Sequence, residues 1–258
     1  MEENKVKTGI QGLDKALHGG IPAGNLVLIS GGAGTGKSTL CLQFLINGAK
    51  LFGEKGLYIS TEQTAEELHR QAEGFGWDLD ELETRHLFKI RYFDITGGDN
   101  FIKKVDEMVA EFQPKRIVVD SMTTLTDALL ISGLTEDSAF SLVQVAESVS
   151  PIPRTEQVIA KSILFRLIQE LKKYGKTALL TSELPEEGGR LSADGISEFI
   201  TDGVVLLHFL GIGGLDSRSL QLRKMRYTDH DKGYMPYDII AKIGIDVKQE
   251  EGTSILMK

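Results

Sequence analysis

The chain has 258 residues, 41% of them apolar and 26% charged, with a formal net charge of −8. Those values fit one large α/β domain or two small ones with a core of useful size. They weigh against a dedicated nucleic-acid binder, which carries a basic stripe, and the single cysteine, Cys41, rules out an internal disulfide.

The N-terminal stretch Met1-Glu2-Glu3-Asn4-Lys5 lacks the apolar core of a signal peptide, and no apolar run is long enough to span a bilayer. With one thiol, which reads as a small core residue, this points to a reducing cytoplasm and away from membranes. The histidines at 18, 69, 86, 208 and 230 are scattered and show no zinc spacing.

The first strong element is the apolar run 26–30, which reads as a buried parallel strand. It leads into Gly31-Gly32-Ala33-Gly34-Thr35-Gly36-Lys37-Ser38, which fits G-x-x-x-x-G-K-[ST]. An apolar helix pattern over 39–46 follows, so the loop lies between strand and helix, as the motif requires. Glycines let backbone N–H groups turn inward as an anion nest, and the helix N-terminus adds its positive end. Gly32, Ala33, Gly34, Thr35, Gly36 and Thr39 are therefore expected around the phosphates of ATP. Lys37 brings a cation to the β- and γ-phosphates, and Ser38 offers a hydroxyl to Mg²⁺.

The next strand, 56–61, ends at Glu62. If that strand neighbours the phosphate loop, Glu62 faces the γ-phosphate and can polarise a water for in-line attack. Thr64 and Glu67 fit a capping box at the start of a helix. A strand is expected over 87–92. Asp99 or Asn100 then caps a helix whose Ile102, Val105, Val109 and Phe112 share a face. The strand 116–120 ends in Asp120, a carboxylate that can hold Mg²⁺ through water.

From 121 to 154 the chain makes a long excursion, rich in Ser and Thr, with a helix expected near 137–148. It leaves the carboxyl end of a strand, the edge where α/β sheets keep ligands. A helix over 155–174, stopped by Gly175, is apolar around much of its circumference. It reads as buried on more than one side, by the sheet or by a second subunit. The strand 177–182 precedes Glu183, which is expected near the γ-phosphate and able to pass nucleotide state to the loop 184–195.

The C-terminal third changes character. Runs 203–209 and 217–225, separated by Gly211, Gly213 and Gly214, read as an antiparallel hairpin, and 237–243 as a further strand. The fold class is thus α/β of the P-loop NTPase kind: a mainly parallel central sheet flanked by helices, with a C-terminal antiparallel extension. Strand alternation puts Lys224 and Arg226 on one face and Met225 on the other. Two fixed cations suit a transferring phosphoryl group, either their own or, if they cannot reach it, a neighbour's.

Together these segments resemble the KaiC family of RecA-like ATPases. The opening Thr8-Gly9-Ile10-Gln11-Gly12-Leu13-Asp14 with His18-Gly19-Gly20-Ile21-Pro22-Ala23-Gly24 is similar to that family's lead into the phosphate loop. Asp120-Ser121 resembles its Walker B ending, and Glu62 stands where the family carries its catalytic glutamate. The stretches 196–205 and Lys224-Met225-Arg226-Tyr227-Thr228-Asp229-His230-Asp231-Lys232-Gly233 resemble two further family motifs. In the family the last of these reaches a neighbour's nucleotide, which implies contacts from Lys224, Met225, Arg226, Thr228 and His230. Tyr227 and His230 are candidates for the base pocket. Gln63 replaces a second glutamate common in the family, leaving Glu62 as the sole carboxylate there.

The resemblance implies a single RecA-like domain over 1–258, with an opening segment 1–25, the excursion 121–154 and antiparallel strands 203–243. It also implies a Mg²⁺-dependent ATPase that forms a homo-oligomeric ring, hexameric, with nucleotide between subunits, serving as a regulatory or signalling module with an unidentified protein partner. One alternative is an autokinase or Ser/Thr protein kinase, with Ser121, Thr123, Thr124, Ser138 and Ser141 as acceptors. Another is a RecA/RadA-type DNA-associated ATPase, against which the excursion, from 121 to 153, carries no Lys or Arg. A third is a switch in which ATP mainly holds the ring together.

Overall fold

The computed structural model describes residues 4–94, 101–125, 156–185, 189–212 and 215–248. The expected helix near 137–148, the caps Asp99 and Asn100, the hydroxyls of Ser138 and Ser141, and the turn at Gly213-Gly214 lie outside these residues.

The core is a nine-stranded sheet. Its parallel part comprises β3 (Leu26–Gly31), β4 (Gly56–Ser60), β5 (Phe88–Tyr92), β6 (Arg116–Asp120), β7 (Thr177–Glu183) and β8 (Gly203–Ile212). Its antiparallel extension comprises β9 (Leu215–Met225), β10 (Tyr234–Ile240) and β11 (Gly244–Val247). The order across the sheet is β11-β10-β9-β8-β3-β7-β6-β4-β5. The mainly parallel sheet with an antiparallel end agrees with the sequence reading. The last region, though, holds two strands with a tight turn between them where the sequence suggests one over 237–243. A small separate pair, β1 (Lys5–Val6) with β2 (Ile21–Pro22), closes the opening segment.

Helices cover both faces. On one lie α1 (Gln11–Ala16), α2 (Lys37–Phe52), α3 (Ala65–Gly74) and α4 (Leu79–Thr84), whose Leu13, Phe44, Leu68 and Leu82 share a core with Val27, Ile29, Val118 and Leu179. On the other lie α5 (Phe101–Phe112) and α6 (Glu156–Lys173). They pack Val105, Val109, Leu164 and Ile168 on Leu26, Leu28, Val119 and Leu180. Successive residues of β3 thus feed opposite cores, the two-sided burial that makes a parallel strand read as a continuous apolar run. In the described part of α6, Leu164, Leu167, Ile168 and Leu171 are buried while Phe165 is exposed. That part of the helix turns one stripe, spaced at i, i+3, i+4 and i+7, onto the sheet and leaves Phe165 outside the subunit's own core.

Thr64 caps α3 through the predicted box with Glu67. The Thr8–Asp14 motif of the opening segment has a local cause: the Asp14 carboxylate accepts hydrogen bonds from Thr8 N–H, Thr8 Oγ1 and Gly9 N–H. This knot fixes the turn into α1. Arg116, only 1% exposed, spans from β6 to Glu54 at 2.6 Å and to the Phe44 carbonyl at 2.9 Å, tying α2 to the sheet.

Candidate nucleotide site

The phosphate loop joins β3 to α2. Gly34 and Gly36 adopt left-handed backbone, with φ of 73° and 89°. A side chain on Gly36 would also meet Ile239 Cδ1 at 2.7 Å. The positive φ at both positions is what favours glycine, so the spacing of the motif follows from the turn the backbone makes. Thr35 Oγ1 donates to the Gly32 carbonyl at 2.8 Å, and Lys37 Nζ lies 2.8 and 3.2 Å from the carbonyls of Gly31 and Gly32. The lysine is therefore folded over the mouth of the loop. The antiparallel extension braces it from beneath: Tyr237, buried on β10, donates its hydroxyl to the Thr35 carbonyl at 2.5 Å. Burial pushes that phenol up to about 12.

Asp120, at the end of β6, lies at the foot of the loop. Its Oδ2 accepts from Ser38 Oγ at 2.8 Å and from the Tyr58 hydroxyl at 2.5 Å, and its Oδ1 from Thr181 Oγ1. Hydroxyls from α2, β4 and β7 thus converge on one carboxylate. Burial, then the Asp120 charge, push the Tyr58 phenol well above its ordinary value. Burial does the same to the Cys41 thiol one turn along α2, leaving it an inert core residue as expected. A serine hydroxyl beside a carboxylate is a hard-oxygen donor set that suits Mg²⁺.

Glu62 reaches this region by a route the sequence reading did not anticipate. Its strand does not neighbour the loop strand, because β7 and β6 lie between β4 and β3. Parallel pairing with β6 instead sets Ser60 opposite Asp120. Glu62, one turn of chain later, accepts hydrogen bonds from Ser121 Oγ and from Thr124 Oγ1 at 2.6 Å. Gln63 folds back, exchanging hydrogen bonds with Ser60 Oγ. Glu183 lies directly beside the loop, paired across the sheet with Gly31. Its N–H donates to Thr123 Oγ1 at 3.3 Å.

Lys224, Met225 and Arg226 do not join this group. Lys224 and Met225 end β9 and Arg226 follows it; the antiparallel register puts Met225 opposite Gly203, and Gly203 pairs with Val27 at the start of β3. The two cations are thus at the opposite end of the sheet from their own phosphate loop. The alternation is as expected: Met225 is buried, while Lys224 Nζ donates to the carbonyls of Glu198, Phe199 and Thr201 and Arg226 bonds Asp202 and Phe199. Burial, then the neighbouring Arg226, lower the Lys224 ammonium below its ordinary value. Thr228 accepts from Lys5 Nζ at 2.6 Å, Tyr227 is exposed, and His230 contacts the Asp231 carbonyl.

Tyr58, Thr181, Tyr237 and Asp202 were not among the sequence candidates. The first two sit on core strands where hydroxyls among apolar residues were the only signal. The other two act through pairings between segments far apart in the chain.

A glycine loop between parallel strand and helix, with Asp120 two strands away at its foot, defines a P-loop NTPase of the RecA-like type. The family model described as "ATPase: KaiC" matches residues 6–145 and 142–252. The chain belongs to the KaiC family and is an ATPase domain of that family. It is 31% identical over 250 residues to the circadian clock oscillator protein KaiC of Prochlorococcus marinus MIT 9313, covering 92% of this chain and 44% of that protein. Against the same-named protein of Synechococcus elongatus PCC 7942 the identity is 32%, covering 91% and 42%. The chain therefore spans less than half the length of these relatives. A solved KaiC-like protein from the archaeon Pyrococcus horikoshii OT3 is 33% identical, with a TM-score of 0.77, covering 95% of this chain and 99% of that one. Among the described residues, no helix is long and apolar enough to cross a membrane.

Proposed function

We propose that the chain hydrolyses the β–γ phosphoanhydride of ATP with Mg²⁺, in a homo-oligomeric ring, hexameric, where one subunit's phosphate loop faces the Lys224 and Arg226 end of the next. The observation that supports this best is the convergence of Ser38 and Asp120 beneath the loop, with Glu62 held next to them through Ser121. Ser38 Oγ and, through water, Asp120 would hold Mg²⁺, which when bound neutralises charge on the β- and γ-oxygens. The loop amides cradle the phosphates, and Lys37 leaves its carbonyl partners to contact them. Glu62 takes the proton of the attacking water. Lys224 and Arg226 lie too far along the sheet to serve their own site, so they act on a neighbour's. Tyr227 and His230, on the same segment, are candidates for the base.

The test is steady-state phosphate release with light scattering in the presence and absence of ATP. Wild type is expected to turn over only with Mg²⁺ and to assemble into rings. Lys37→Ala is expected to lose ATP binding by calorimetry. Turnover that survives Lys37→Ala would reject the reading.

A second reading has one observation in its favour. The hydroxyls of Ser121 and Thr124 both contact Glu62, so the same base can deprotonate a hydroxyl in place of water. Phosphate on either residue after incubation with ATP, seen by mass spectrometry, would establish autokinase activity; unmodified protein that releases phosphate would exclude it. A regulatory or signalling role, with a protein partner in the cytoplasm, fits either chemistry.

A further inference from the structure

We propose that Glu198 is a positioning residue that seats the helical turn holding Lys224, and so aims the cation delivered to the next subunit. This rests on the trans role of Lys224 given above. Ahead of α7 (Ser197–Ile200), a single turn that precedes β8, residues 189–196 form a strap whose Leu191 and Ile196 pack against the second core. Glu198 is 6% exposed, and a carboxylate so buried requires donors. It finds them in the strap: Leu191 N–H donates at 3.1 Å and Ser192 Oγ donates as well. Asp194 adds a second tie, accepting from the N–H groups of Ile196 and Ser197, each at 2.6 Å.

The backbone of the same turn then holds the cation. Lys224 Nζ lies 2.9 Å from the Glu198 carbonyl, 3.3 Å from that of Phe199 and 2.5 Å from that of Thr201. The last carbonyls of a helical turn lack intrahelical partners and carry partial negative charge, which suits an ammonium. The charges that act on Lys224 are divided, with Arg226 and Lys172 of like sign and Asp202 and Glu198 of opposite sign. Repulsion from the two cations would displace the ammonium if the carbonyl cradle moved.

The same stretch of the strap is also tied close to its own phosphate loop, through Ala193, the residue after Ser192. Ala193 N–H donates to Ser182 Oγ at 3.1 Å, and the next residue, Glu183, pairs with Gly31. Glu198 is therefore the point where a segment anchored beside one nucleotide site is bolted to the cradle of a cation meant for another.

The test uses coexpressed mixtures. Subunits carrying Lys37→Ala keep their cations but bind no nucleotide; subunits carrying Lys224→Ala with Arg226→Ala bind nucleotide but lend no cation. The mixture should release phosphate where each kind alone does not. A silent mixture refutes the trans reading and the proposal with it. In an active mixture, Glu198→Gln placed on the cation-lending subunit should lower kcat by about tenfold with KM unchanged, since a misplacement of ~1 Å costs up to ~10²-fold. Placed on the other subunit, which has no Lys224 to seat, it should change kcat by less than about twofold. Equal losses in both placements, or no loss in either, would overturn the proposal. If Glu198→Gln subunits fail to fold, as judged by thermal melts, Ser192→Ala takes their place under the same criteria.

Discussion

Tyr237→Phe isolates the brace between the antiparallel extension and the phosphate loop. The phenol is 1% exposed and donates to the Thr35 carbonyl at 2.5 Å. Phenylalanine keeps the ring and its packing but leaves that carbonyl with its donor removed. Stranding a buried acceptor costs about 1–3 kcal/mol. Equilibrium urea unfolding at pH 7 should therefore show a lower midpoint and an unchanged slope. The same residue fixes a pH signature. Its phenol is raised from 10.0 to about 12, so the folded state favours the protonated form. The stability this contributes is fully present below pH 10 and is lost as pH rises through about 12. A shift of that size corresponds to roughly 3 kcal/mol. The stability difference between wild type and Tyr237→Phe should thus be constant from pH 7 to 9 and shrink steadily above 10. Because Thr35 belongs to the loop, calorimetry should also show weaker ATP binding by the variant. Equal midpoints at pH 7, or a difference that does not change between pH 9 and 12, would refute the reasoning.

Two other predictions concern charge. The Lys224 ammonium is lowered by burial and by Arg226, so it loses its proton at a lower pH than an ordinary lysine. The alkaline limb of the kcat profile should fall below pH 10.5, and Lys224→Arg, which stays protonated, should move that limb upward. An unmoved limb would exclude Lys224 as its origin. Arg116 is 1% exposed, ion-paired to Glu54 and stacked on Phe44 with 4.6 Å from guanidinium to ring centre. Arg116→Ala should cost about 3–5 kcal/mol by urea unfolding, since it breaks a buried pair and empties its volume. A loss under about 1 kcal/mol would show the pair to be dispensable.

The phosphate loop was legible in the sequence because its chemistry is local: glycines at Gly34 and Gly36, a lysine and a serine follow one another along the chain. Asp120 was legible for the same reason, at the end of an apolar run. Strand order was not. Nothing in residues 56–62 says that β4 pairs with β6 and not with β3, so the route by which Glu62 reaches Ser121, the residue after Asp120, had to come from the sheet. Lys224 and Arg226 were found as an alternating pair, yet their distance from their own loop follows from the register of β9 on β8 and β8 on β3. The short elements α1, α4 and β11 escaped because each is only four to six residues long, too few for a period to show. Asp78, whose carboxylate accepts from Glu81 N–H at 2.8 Å, was a local sign of α4, with Asp80 and Glu81 in its first turn.

The claim on which the rest depends is that Glu62 activates the nucleophile at a nucleotide bound by the Gly31–Ser38 loop. Phosphate release by Glu62→Gln at saturating Mg²⁺ and ATP, with ATP affinity measured on the same preparation, tests it directly. Binding close to wild type with turnover reduced at least about tenfold is the predicted result. Turnover equal to wild type would contradict it.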